Sequence, residues 1–80
     1  MRLWSETMDK ANSHDKEKII EELETMRSFE LSAHELYGRI AGDPGVEQQK
    51  VKDAFAKLAA DEQRHADLVG EIINIVNNAL

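Results

Sequence analysis

The chain has no cysteine, one proline, 5% aromatic residues and no long apolar run. Each scarcity excludes something. Without Cys there are no disulfides, thiolate metal sites or iron–sulfur clusters, and the redox compartment is left open. No apolar stretch approaches the ~20 residues of a membrane span. Met1-Arg2-Leu3-Trp4-Ser5-Glu6 lacks the apolar centre of a secretory leader, so a cytoplasmic protein is the expectation. Positive charge is also short, with 10 Lys and Arg against 16 Asp and Glu. That balance disfavours nucleic acid and membrane surfaces as partners and suits a cation. Eighty residues make one small domain with a modest core, so self-association is expected from the outset.

What is present is helical pattern. The lone proline sits in Gly42-Asp43-Pro44-Gly45, a strong turn signal. The pattern predicts one long helix before it, over about 15–41, and another after it, over about 46–77. Asn12 or Ser13 can cap the first, and Gly42 is placed to stop it. Ala54, Ala56, Ala59, Ala60 and Ala66 raise helix propensity in the second. Gly38 and Gly70, inside the helices, are expected to mark close packing. Residues 1–14 form a separate N-terminal segment, and Leu3, Trp4, Met8 and Ala11 suit a short amphipathic helix. No strand pattern or low-complexity tract is present. The fold class expected is all-α, a hairpin of two antiparallel helices over 15–80.

Two apolar seams run along these helices with steps of four and three, the spacing of packed helices. The first reads Ile19, Leu23, Met26, Glu30, Ala33, Tyr37, Ile40. The second reads Val51, Phe55, Leu58, Glu62, His65, Val69, Ile72, Val76. Their polar exceptions point to a metal. An ionised carboxylate in a seam costs several kcal/mol unless it is paired, protonated or bound to a cation. Glu62-Gln63-Arg64-His65 puts a carboxylate and an imidazole on one face, and Glu30 is the carboxylate of the facing seam. A symmetric turn would leave Glu30 roughly 8–12 Å out of level with Glu62 and His65. The residues meet only if the second helix starts late, and 43–48 can supply that slack.

One chain offers two Glu and one His, too few for a two-metal centre; a two-fold pair of hairpins offers twice that. Four helices with a Glu from each of two and Glu-x-x-His from each of the others are the ligand set of di-iron carboxylate bundles. Further apolar residues, Ile20, Phe29, Leu31, Leu36, Leu68, Ile73 and Ile75, would also stay wet in a lone hairpin. A homodimer closing a four-helix bundle resolves both problems. Carboxylate and imidazole suit iron or manganese, with zinc or calcium as redox-inert alternatives. Tyr37, one heptad past Glu30, is a candidate neighbour of the ligands through its hydroxyl, and His34 a candidate outer residue one turn from Glu30. The plainer alternatives are a Glu30 paired with Arg27 or His34, and a Glu62 and His65 on a wet surface. Glu21, Glu22, Glu24, Glu35 and Glu71 read as solvated faces.

Phe29-Glu30-Leu31-Ser32-Ala33-His34-Glu35-Leu36-Tyr37 resembles the first ligand helix of the ferritin-like superfamily. Asp61-Glu62-Gln63-Arg64-His65-Ala66 resembles its Glu-x-x-His helix, and the spacing from Glu30 to Glu62 is also similar. The likeness covers about 15–78. Ordinary members carry two such motifs in four helices, whereas this chain carries half. It therefore most resembles the encapsulated ferritins and other half-ferritins. The resemblance implies that Glu30, Glu62 and His65 ligate iron and that Tyr37 stands behind them. It also implies a ring of dimers and an encapsulin shell as partner and compartment. Two features depart from that group: Phe29, Leu31 and Ser32 replace the extra acids usual beside the first ligand, and Asn77-Asn78-Ala79-Leu80 does not read as a shell-targeting tail.

The function expected is a ferroxidase, oxidising Fe(II) to Fe(III) with dioxygen at a di-iron carboxylate centre between two subunits, for iron storage or detoxification. The alternatives are a structural dimerisation module with a non-redox metal and a manganese or peroxide-handling protein of the same geometry.

Overall fold

The computed structural model describes residues 13–79, with side chains from 15 onward. The expected N-terminal helix, with Trp4, lies outside the described residues. Two helices account for the fold: α1, Ser13–Gly42, and α2, Gln49–Ala79, with no strand among the described residues. They pack along their length as an antiparallel hairpin.

The connection is built as the proline motif requires. Asp43 accepts from the Val46 amide at 3.0 Å through its carbonyl, closing a turn with Pro44 and Gly45 inside. Its Oδ1 also accepts from the Gly45 amide at 2.8 Å. The turn thus uses the Val46 N–H, and α2 does not start at 46 as expected. Gln48 provides the first helical acceptor, to Val51 and Lys52 at 3.1 and 3.2 Å. This late start supplies the missing slack. Glu30 lies roughly 12 residues before the end of α1 and Glu62 roughly 13 after the start of α2, so at ~1.5 Å per residue they stand nearly level. Gly42 ends α1 without a left-handed cap, for no described residue has positive φ.

The contact between the helices is narrower than the apolar pattern suggests. Its buried residues are Ala59, Ala66, Val69 and Val76, and no large side chain is fully buried. The α2 seam in contact is therefore Phe55, Ala59, Glu62, Ala66, Val69, Ile73, Val76, which shares only some members with the stripe of larger residues. Val51, Leu58, His65 and Ile72 are displaced to an exposed edge. Small residues win the contact line because alanine lets two helices approach more closely than leucine does. Met26 on α1 is likewise exposed.

Those displaced residues are not scattered. Met26, Phe29 and Leu36 on α1 and Leu58, Leu68, Ile72 and Ile75 on α2 all remain exposed. The α1 set steps by three and seven and the α2 set by ten, four and three, all near whole turns, so each is one stripe. In an antiparallel pair of right-handed helices both stripes fall on the same side. The molecule measures 53 × 21 × 15 Å, one helix thick in its shortest direction, so among the described residues nothing covers that side. Gly38 is not a point of close packing: a Cβ there would meet nothing within 4 Å. At Gly70 the nearest atom is Arg27 Nε at 3.5 Å, a side chain laid across it. No helix among the described residues is long and apolar enough to cross a membrane.

Candidate metal centre

Glu30, Glu62 and His65 converge. One ligand atom from each lies within 4.8 Å of the others. His65 Nδ1 stands 3.7 Å from Glu30 Oε2 and 3.9 Å from Glu62 Oε1. The near-level placement fixed by the loop brings Glu30 across, and the i, i+3 step brings His65 onto Glu62. The Glu30 and Glu62 side chains are about one-fifth exposed, while His65 is 52% exposed. The cluster thus lies at the margin of the helix contact and opens toward the uncovered apolar side.

Its electrostatics favour a cation. The Glu62 carboxyl is raised above its ordinary value. The largest cause is its hydrogen bond with Glu30, followed by desolvation and the Glu30 charge, with His65 opposing. The facing Glu30 disfavours the ionised form of Glu62, which is what raises its carboxyl. A divalent ion between the two carboxylates would offset their repulsion and draw all three donors together.

The donors fit such an ion. Oxygen and nitrogen ligands sit about 2.0–2.2 Å from a transition metal. Atoms 3.7–3.9 Å apart close on one ion with small side-chain rotations. Two hard carboxylates and one imidazole suit iron, manganese or zinc. Three ligands leave coordination positions open, as a reactive centre needs.

The plainer alternatives fare differently. Glu30 stands 3.7 Å from His65 rather than against Arg27 or His34, and Glu62 is only half-buried at the contact margin, whereas His65 does lie on an exposed surface. The face bearing Glu21, Glu22, Glu24, Glu35 and Glu71 is exposed, as expected. Tyr37 packs its ring on Phe55 at 5.8 Å, a heptad from the cluster toward the loop. His34 is half-buried and bonds through Nδ1 to the Ala59 carbonyl at 2.7 Å. That inter-helix bond was not expected; the signal for it is the stripe Leu23, Arg27, Glu30, His34, Tyr37, Ala41, which runs beside the chosen seam. A groove of about 440 Å³, lined by Glu24, Arg27, Ser28, Gly70, Ile73 and Asn74, holds none of the three ligands.

The geometry defines a class: a two-helix hairpin with a Glu–Glu–His group that could bind a metal. No protein-family model, curated protein or solved structure matches this chain.

Proposed function

We propose that this protein is a ferroxidase of ferritin-like type, in which two hairpins dock face to face and join their Glu30–Glu62–His65 groups into one di-iron centre. One observation carries the reading. The three donors meet at the edge of an otherwise unexplained apolar face, so covering that face with a second copy would also enclose the metal. Each copy would contribute one half of the ligands. The resemblance of both ligand segments to ferritin-like helices supports the same assignment.

Glu30 and Glu62 would hold the metals as hard anionic donors. His65 would donate its Nδ1 lone pair. Phe29, Leu58, Leu68 and Ile72 would exclude water once the second copy covers them. Tyr37, packed at a tilt against Phe55, would shield the loop side. Iron bound there as substrate would supply the redox chemistry: two Fe(II) would each give one electron, and dioxygen with two protons would leave as hydrogen peroxide. Any ring of dimers or encapsulin shell is a further step resting on the resemblance alone.

The test is stopped-flow mixing of anaerobic protein and Fe(II) with oxygenated buffer. Oxidation well above the blank, lost in Glu62→Ala, is expected. Blank-level oxidation by a dimer that still binds Zn(II) or Mn(II) at these residues would instead indicate a structural metal. Faster turnover with peroxide than with dioxygen would indicate the peroxide-handling alternative.

A further inference from the structure

We infer that His34 is the register pin of the hairpin: its bond to the Ala59 carbonyl fixes the axial position at which Glu30 faces Glu62. For its effect on metal the inference rests on the proposed centre; for its effect on register it stands alone.

The bond is short, at 2.7 Å, half-buried, and crosses from α1 to α2. A carbonyl oxygen has no hydrogen, so Nδ1 must carry the proton and donate. Neutral and charged imidazole can both do so with Nδ1–H. The acceptor is a backbone atom inside a helix, which no rotamer change can move. A side-chain pair tolerates sliding; this contact does not.

The pin matters because the surfaces around it specify register weakly. Ala59 is 6% exposed and Ala66 0%, so the contact line beside the site is alanine against the facing helix. A low-relief line discriminates poorly between neighbouring registers, and a directional polar contact within an apolar seam is a known way of selecting one. Ala59 also serves the bond directly, since a larger side chain there would keep the ring from the backbone. A second cross-helix bond, Lys16 Nζ to the Asn77 carbonyl at 2.7 Å, is exposed and sits at the open end of the hairpin. Its long, flexible stem fixes little near the site.

Position completes the argument. His34 is one turn beyond Glu30, and Ala59 is one turn before Glu62. The bond and the carboxylate pair are thus consecutive layers of the same two helices. A slip of one turn moves α2 by ~5.4 Å and breaks both. His34 therefore acts through the carboxylates as a positioning residue, with no contact to metal.

The test uses His34→Leu, which fills the space without a donor, and His34→Gln, whose amide can restore one. Long-range ¹H–¹⁵N NMR of the metal-free wild type should show the Nδ1–H tautomer for His34. The cysteine-free chain permits a direct register measurement. With Glu30→Cys and Glu62→Cys added, dibromobimane should join the two thiols within one chain, several-fold more slowly in the His34→Leu background. In the protein with native Glu30 and Glu62, Mn(II) should bind about tenfold more weakly in His34→Leu, and His34→Gln should recover most of both effects. Circular dichroism should show each variant as helical as wild type. An Nε2–H tautomer, or a His34→Leu protein that crosslinks and binds Mn(II) like wild type, would overturn the inference. A wild type that binds no Mn(II) would remove the metal centre, while the crosslinking comparison would still decide the pin.

Discussion

Replacing Phe29 with Ser should dissolve the proposed dimer while leaving the hairpin folded. Phe29 keeps 72% of its surface in water, more than any other large apolar residue described. A phenylalanine carries about 150–250 Å², so on the order of 140 Å² awaits cover. At ~25 cal/mol per Å² that is about 3.5 kcal/mol per copy if fully buried. A two-fold interface counts each residue twice. If only half of the total is realised, the loss is still about 3.5 kcal/mol, a weakening of several hundred-fold. The hairpin itself should scarcely notice, because Phe29 is not in the helix contact. Sedimentation equilibrium of wild type and Phe29→Ser, each with Mn(II), reads the association directly, and circular dichroism checks the fold. A dimer constant within threefold of wild type would refute the claim that this face is the interface. So would a wild-type protein that sediments at 9.1 kDa.

Other expectations follow from single residues. The raised Glu62 carboxyl stabilises the metal-free fold fully below its ordinary value, and that contribution fades as pH climbs through the raised one. Thermal melts without metal should therefore weaken with rising pH across that window, and Glu62→Gln should flatten the trend. Metal affinity should run the opposite way, strengthening as the proton leaves. Gly38→Ala should stabilise the hairpin by about 0.5–1 kcal/mol, since a Cβ there meets nothing and helix propensity improves; an unchanged urea midpoint would contradict this. Ala66→Leu should destabilise it by about 1–3 kcal/mol, because Ala66 is fully enclosed between the helices. A melting point equal to wild type would show that the contact line has room to spare.

The hairpin was legible because its signals are local. Asp43-Pro44-Gly45 can do little but turn, and the flanking periodicity has only one reading. Glu30, Glu62 and His65 were legible as polar residues in apolar stripes, and the late start of α2 removed the level mismatch in that reading. The contact line itself was not legible. Leu58 and Ile72 look like core by size, yet Ala59 and Ala66, one position over, are what the other helix touches. Hydrophobicity marks which residues want cover without saying which element provides it, and among the described residues several of the largest are left exposed. His34 was read as peripheral because its partner is a backbone carbonyl, which has no signature in sequence.

The uncovered flank has a consequence for the chain's life in solution. Until something shields Phe29, Leu68 and Ile75, each newly made molecule is sticky. If the proposed dimer forms, meeting a matching copy competes with non-specific clumping, and abundance governs that race. Low expression should prolong the vulnerable interval and high expression shorten it, so dosage becomes part of this small protein's folding problem.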